Sequence, residues 1–257
     1  MDRDIDLARI AAALQAAREA LAPFTPGRIA SRLKDGWDPV TAADTAVNEV
    51  LENVLPEAGE GWLSEETADS SHRLGCRRVW VVDPVDGTRE FIAGIPEWCI
   101  SVGLVEDGVP VAGGILNPTY DELVLGAVET GVTCNGRPVR IPRRSSLKGI
   151  RVLASRSEVK RGEWDRYGGA PFTVEPMGSV AYKMARVGAG LDVATWTLVP
   201  KHEWDVAAGT ALVRAAGGDV ITPSGEYPSF NQPSPKLDGL IAAGPGVMPA
   251  VREYLGV

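Results

Sequence analysis

The segment Val79-Trp80-Val81-Val82-Asp83-Pro84-Val85-Asp86-Gly87-Thr88-Arg89-Glu90-Phe91 opens as a strand and closes as an acidic turn. Its first four residues are β-branched or aromatic, the content of a short buried strand. Two carboxylates follow at spacing i, i+3. Pro84 fixes one backbone angle between them, and Gly87 permits a sharp turn behind them. Such a turn can aim Asp83, Asp86 and the Val85 carbonyl at one point, and hard cations such as Mg²⁺ take oxygen ligands of this kind. Gly87 and Thr88 then offer backbone N–H groups near a helix start, a seat for phosphate. An isolated Asp-Gly turn reads equally as a simple cap on the next element.

Downstream, Ile100–Val105, Val109–Leu116 and Leu123–Val128 read as consecutive strands. Glu106-Asp107-Gly108 and Asn117-Pro118 turn the chain between them, as in a meander. Upstream, Ile5–Leu21 is Ala-rich with a period near 3.6 and ends before Pro23 and Pro26-Gly27, so it predicts a helix. Thr41 opens a second helix, with a stripe at Val47, Val50, Leu51, Val54 and Leu55 and a stop at Pro56.

The second half alternates strand and helix. Val152-Leu153-Ala154 and Val220-Ile221 read as strands; Ser179–Val187 and Asp205–Ala216 read as helices, closed by Gly188 and by Gly217-Gly218. Proline and serine pairs near 136–150 suggest a boundary: residues 1–140 as an α+β subdomain carrying a metal site, and 141–257 as an α/β subdomain completing it.

With 257 residues the chain can bury a full core. The net charge of −8 repels nucleic acid polymers and anionic membrane. It would also repel a phosphorylated substrate unless bound metal reversed the local field. Cys76, Cys99 and Cys134 are odd in number and widely spaced, so no disulfide framework is expected. The N-terminus MDRDIDLARI is unlike a signal peptide, and no stretch reaches the roughly 18 apolar residues of a membrane span. These readings place the protein in the cytoplasm.

Two further acidic sites stand out. Trp62-Leu63-Ser64-Glu65-Glu66-Thr67 sets adjacent glutamates behind an apolar pair, which alone reads as a solvated helix start. Glu203-Trp204-Asp205-Val206-Ala207-Ala208-Gly209 sets Asp205 at the start of an Ala-rich helix, which alone reads as a cap.

Taken in order, the three segments resemble the signature of the inositol monophosphatase superfamily, over roughly Thr41 to Gly218. DPVDGTREF is similar to its DPxDGTxxF block, Ser64-Glu65-Glu66 to its acidic block and WDVAAG to its WDxAAG block. The resemblance implies a layered αβαβα sandwich, α+β and α/β in character, with the site between two subdomains. It implies a metal-dependent phosphatase of small phosphorylated metabolites, with two or three Mg²⁺ per site. Glu65, Asp83 and the Val85 carbonyl would hold the first metal; Asp83, Asp86 and Asp205 the second. Asp44, in a segment similar to the family's VTxxD, and Thr88 would orient the attacking water, with Glu65 near a third, looser metal. Asp44 reads equally as a first-turn acid favourable to its helix dipole.

For substrate, Arg89-Glu90-Phe91, Ser155-Arg156-Ser157, Ser179 and Lys183 in GSVAYKM, and Glu203 resemble 3'(2'),5'-bisphosphate nucleotidases of the CysQ type. That resemblance implies 3'-phosphoadenosine 5'-phosphate, with Ser155, Arg156, Ser179, Lys183 and Glu203 joining Gly87 and Thr88 as substrate ligands. Arg156 and Lys183 read equally as solvated charges. Ile115–Pro118 and Asn135-Gly136-Arg137 look like hairpins of the inositol branch instead, and fructose 1,6-bisphosphate is a third substrate of the superfamily. Inositol-acting members commonly carry a glutamate seven residues before the Asp of WDxAAG. Here that position is Leu198, which accepts no hydrogen bond. Trp196 reads as core filling or as a base-stacking ring. A homodimer through apolar outer helices such as Ala11–Leu21 fits the inositol branch.

Two other classes compete. A haloacid-dehalogenase-type phosphatase also follows a strand with Asp residues and Gly-Thr, but its aspartates are one residue apart, whereas Pro84 and Val85 separate these. A non-catalytic metal- or metabolite-binding protein could use the same scaffold; the presence of both Thr88 and Asp44 argues against it.

Overall fold

The computed structural model describes residues 3–33 and 39–257. Helix α1 (Arg3–Leu21) buries Ile10, Ala13, Leu14, Ala17 and Leu21 in the chain's own core. The short strands β1 (Ser31–Leu33) and β2 (Pro39–Thr41) pair antiparallel and lead into α2 (Ala42–Val54). Thr41 caps α2 by accepting the Ala43 N–H. The buried face of α2 is Ala43, Asp44, Val47, Asn48 and Leu51. Val54, read from the sequence as part of that stripe, is 51% exposed; two polar residues, Asp44 and Asn48, take the inward positions instead.

A seven-stranded sheet follows: β3 (Glu60–Ser64), β4 (Arg78–Asp86), β5 (Cys99–Glu106), β6 (Val109–Asn117), β7 (Glu122–Ala127), β8 (Gly131–Cys134) and β9 (Arg137–Val139), in that spatial order. From β4 onward every pairing is antiparallel. This is the predicted meander, extended by two strands. The β3–β4 pair alone is parallel. Strand β4 runs past Val82 to Asp86, with an irregular register between Asp83 and Asp86. The acidic motif therefore lies in the irregular end of a strand and not in a free turn. The short helix α3 (Thr88–Ala93) follows directly.

The second sheet holds β10 (Arg151–Ser155), β11 (Thr173–Met177), β12 (Ala194–Thr197), β14 (Asp219–Ile221) and β16 (Leu240–Ala243), with β13 (Lys201–His202) and β15 (Lys236–Leu237) as a separate pair. Its order is β11-β10-β12-β16-β14. The first three strands are parallel, so their carboxyl ends emerge on one edge. Helices α4 (Arg156–Lys160), α5 (Val180–Gly188), α6 (Glu203–Ala215) and α7 (Met248–Leu255) complete the chain. Helices α1 and α2 pack on the first sheet, α5 and α6 lie between the sheets, and α4 and α7 contact the second. This is the αβαβα sandwich.

The Ala-Ala-Gly of WDVAAG has a packing reason. A Cβ on Gly113 of β6 would stand 2.6 Å from the Ala208 carbonyl oxygen. Only small residues on both sides let α6 lie so close to the sheet, and that approach carries Asp205 to the end of β4. Among the described residues no helix is long and apolar enough to cross a membrane, and the three cysteines are free thiols.

Candidate active site

Asp83 is the centre of the acidic cluster. It is 2% exposed, and its Oδ1 accepts the Val85 N–H at 3.0 Å. Parallel pairing aligns Ser64 with Val82, so Glu65, the next residue, arrives beside Asp83. Burial pushes the Asp83 carboxyl well above its usual range, and the charges of Glu65, Asp86, Asp205 and Asp44 push it the same way. Asp205 is likewise raised well above its range by burial, then by Asp86 and Glu65. The His202 N–H, 2.9 Å from its Oδ2, opposes that rise.

Asp86 is raised by burial as well, but it is better supported. Its Oδ2 accepts Ser179 Oγ–H at 2.6 Å and Ala181 N–H at 2.5 Å. Ser179 holds φ at +54°, a region that costs a serine of order 1–3 kcal/mol. The turn around it is pinned from several sides. Lys183 Nζ donates to the Ser179 carbonyl at 2.7 Å and the Met177 carbonyl at 3.3 Å. Glu97 accepts the Gly178 N–H at 2.7 Å.

Gly87, at φ +96°, turns the chain from β4 into α3. A Cβ there would meet the Glu97 carbonyl and Trp98 at 3.1 Å. Thr88 Oγ1 stands 2.9 Å from Asp44 Oδ1 and 3.0 Å from the Val85 carbonyl. Its single proton can serve only one of them. Asp44 is 1% exposed, and its Oδ2 accepts both the N–H and the hydroxyl of Thr41, at 2.9 and 2.6 Å.

The sequence also placed Ser155, Arg156, Lys183 and Glu203 among substrate ligands. In the structure Ser155 Oγ is 3.0 Å from Ser157 Oγ. Arg156 is ion-paired with Glu97. Lys183 is buried, neither an open ligand nor a solvated charge; burial lowers its ammonium to about 8, against the pull of Asp86. The Glu203 carboxylate accepts the Asn231 and Gln232 N–H groups at 2.8 and 2.9 Å. Trp196 is a core ring, 2% exposed and stacked on Trp164.

Three contributors carry no legible sequence signal. Glu97 ties Arg156 to Gly178. Cys99 Sγ lies 3.3 Å from Ser179 Oγ. Lys201 presents its charge to Asp86 and Asp205 while pairing with Glu158 at 3.3 Å.

The donor set suits a hard cation: carboxylates and a carbonyl, with no sulfur or imidazole among them. Four acids raise the Asp83 carboxyl together, the imbalance that a bound cation would relieve. As the side chains stand, no three acidic, His or Cys groups among the described residues close into a metal cage. The acids share a field without yet sharing a point.

The model of the inositol monophosphatase family matches residues 2–254. The chain is 32% identical to inositol monophosphatase 3 of Solanum lycopersicum, covering 73% of this chain and 75% of that protein. Its fold is similar to the inositol monophosphatase of Anabaena (Nostoc) sp. PCC 7120, with a TM-score of 0.82, 25% identity and coverage of 100% and 97%. It is also similar to CysQ from Bacteroides thetaiotaomicron, a bacterial member of the same family, with a TM-score of 0.77, 27% identity and coverage of 93% and 97%. The chain belongs to the inositol monophosphatase family, a family of phosphatases.

Proposed function

We propose that this protein is a cytoplasmic, Mg²⁺-dependent phosphomonoesterase that releases phosphate from a small soluble metabolite. The observation that carries the reading is the crowding of Glu65, Asp86, Asp205 and Asp44 around buried Asp83, beside the Asp44–Thr88 pair. Glu65, Asp83, the Val85 carbonyl, Asp86 and Asp205 are the groups that would hold two or three Mg²⁺. Bound Mg²⁺ lowers the pKa of water towards neutrality and offsets phosphate charge.

The chain's own part is orientation and proton placement. Asp44 is held by Thr41, so its Oδ1 is aimed at Thr88. When the Thr88 hydroxyl donates its hydrogen bond to Asp44, its oxygen lone pairs are left to accept a hydrogen bond from an attacking water. The water is then aligned by a hydroxyl that cannot rotate freely. The N–H groups of Gly87 and Thr88, at the start of α3, are the donors the phosphate oxygens would meet.

The substrate favoured by the residues is 3'-phosphoadenosine 5'-phosphate, giving AMP and phosphate. Leu198 supports this, because an apolar side chain stands where a carboxylate would hold polyol hydroxyls. Inositol 1-phosphate is the second reading, supported by the name of the tomato relative. The internal ties of Arg156, Lys183 and Glu203 remove three arguments for the nucleotide and leave Leu198 as the main one.

Phosphate release with Mg²⁺ from 3'-phosphoadenosine 5'-phosphate, myo-inositol 1-phosphate and fructose 1,6-bisphosphate, with Asp86→Asn as blank, tests both levels. Release in excess chelator would sink the metal-dependent reading. A preference for inositol phosphate would overturn the substrate.

A further inference from the structure

Arg73 is a charged side chain in the core, 1% exposed, in the 3₁₀ turn Ser71–Gly75 between β3 and β4. We propose that Arg73 is a positioning residue that locks the segment carrying Glu65 to the helix start carrying Asp205, and so fixes the spacing of these two acids. What the lock serves rests on the phosphomonoesterase reading, in which both acids hold Mg²⁺.

The guanidinium is a fork between two segments. Its Nε and Nη2 donate to the two carboxylate oxygens of Asp69 at 2.7 and 2.8 Å. Nη1 donates to Asn231 Oδ1 at 2.8 Å, and Nη2 donates also to the Gln232 carbonyl at 2.9 Å. Asn231 Nδ2 returns a bond to the Arg73 carbonyl at 3.0 Å. A Cβ on Gly61 of β3 would stand 3.0 Å from Arg73 Cβ, so Arg73 is seated against the strand that leads to Glu65. A lysine has no planar fork with which to meet Asp69 twice and Asn231 and Gln232 besides.

Each end of the fork lands beside an acid. Asp69 follows Glu65 by four residues. The near flank of the same segment is held as well: Ser64 Oγ donates to Asn48 Oδ1 at 2.6 Å, and Asn48 Nδ2 donates to Thr67 Oγ1 at 2.9 Å. Glu65 thus sits in a stretch pinned on both sides. At the other end, Asn231 and Gln232 give their N–H groups to the Glu203 carboxylate at 2.8 and 2.9 Å. Glu203 is the first residue of α6, two before Asp205, and its own N–H donates to the Pro235 carbonyl at 3.0 Å. Asn231 bonds both partners at once, its side chain Arg73 and its backbone Glu203. It does so from a left-handed conformation, φ +58°, that asparagine tolerates.

The lock works against a real force. Glu65 is among the charges that raise the Asp205 carboxyl, so the two acids repel and push their segments apart. A buried ion pair by itself adds little net stability, because desolvation offsets its attraction. Directed bonds from one rigid group to both segments do something else: they set a distance. Groups that orient metal ligands in this way commonly change metal affinity by about tenfold or more.

Two variants cut the fork at opposite ends. Asp69→Asn acts where the side chain is 39% exposed, and it replaces one acceptor with a donor facing Arg73. Asn231→Gly accepts φ +58°, keeps the N–H that Glu203 accepts, and removes only the side chain that meets Arg73. Deuterium exchange in chelator is read at the end that was not altered. Asp69→Asn should speed exchange at residues 230–235, and Asn231→Gly should speed it at residues 64–68. Calorimetric titration with Mg²⁺ alone, without substrate, should show each variant binding about tenfold more weakly than the parent. The double variant should be weaker than the worse single by no more than about twofold, because both changes act through Arg73.

Faster exchange confined to the altered end, or Mg²⁺ affinities within about twofold of the parent in both variants, overturns the proposal, whatever the melting temperatures do. Mg²⁺ bound by the parent and by both variants alike removes the lock and leaves the phosphatase reading standing. Faster exchange at the far ends in a parent that binds no Mg²⁺ supports the lock and removes the metal-dependent reading.

Discussion

Ser179 Oγ donates to Asp86 Oδ2 at 2.6 Å, joining residues 93 positions apart. The acid comes from the first sheet's strand and the hydroxyl from the turn after β11 in the second. That turn is strained at Ser179 and held by the buried Lys183 ammonium on two of its carbonyls. One half of the chain thus orients an acid of the other, and Lys183 acts by holding the turn.

Ser179→Ala should therefore raise the Mg²⁺ concentration needed for half-maximal activity by about 10–100-fold, the usual loss when a group orienting a ligand is removed. Lys183→Met should do the same by releasing the turn. Mg²⁺ activation curves at saturating substrate decide the matter. A loss of melting temperature with an unchanged activation curve would reduce both residues to packing.

Thr88→Val keeps the shape and removes the hydroxyl that donates to Asp44, and with it the alignment proposed for the attacking water. We expect kcat to fall by about 10²–10⁴ with little change in KM, and Thr88→Ser to restore most of it. Steady-state kinetics at fixed Mg²⁺ measure the split. An equal fall in Thr88→Ser would point to lost packing rather than a lost hydrogen bond.

The crowding around Asp83 has a cost in the metal-free protein. Asp83→Asn removes one charge from beside Glu65, Asp86, Asp205 and Asp44, and its amide oxygen can still accept the Val85 N–H. Thermal unfolding in chelator should show the variant about 1 kcal/mol more stable than the parent, the common gain when a strained functional site is relaxed. Its phosphatase activity should be lost. A destabilised variant would mean that the acids do not repel as their positions indicate.

What was legible in the sequence was local. Asp83, Asp86, Gly87 and Thr88 are contiguous, and a strand followed by an acidic turn announces itself by residue type. The meander was legible because its turns carry Asp-Gly and Asn-Pro. Contacts set by register were not. Glu65 meets Asp83 only because β3 pairs parallel to β4, and no periodicity encodes that choice. The charged residues Arg156 and Glu203 carry no mark of what they will meet. Their partners, Glu97 at 59 residues' separation and the Asn231 amide at 28, are defined by the packing of whole layers. Trp196 was open between core and ring-stacking for the same reason: its neighbours Trp164 and Tyr167 reach it by tertiary packing alone.

Glu60, at the start of β3, makes a pH-dependent contribution outside the acidic cluster. Its Oε1 accepts from Arg9 at 3.2 Å and Arg78 at 2.9 Å; its Oε2 accepts from Arg9 at 2.7 Å, Trp80 at 2.8 Å and the Glu57 N–H at 3.0 Å. Burial alone would raise this carboxyl, but these donors outweigh it and bring it from 4.5 down to about 2. A carboxyl depressed in the folded state stabilises the fold when ionised, so the contribution is complete above about pH 4.5 and is lost as pH falls towards 2. Glu60→Gln should be less stable than the parent at pH 6–8 by about 2 kcal/mol, the scale of charged hydrogen bonds at a partly screened site. The gap in melting temperature should hold constant from pH 8 to 5 and narrow below pH 4.5. A gap of the same size at pH 3 would assign the loss to shape rather than charge, and the tie from α1 through Arg9 to the start of β4 would then be one of packing.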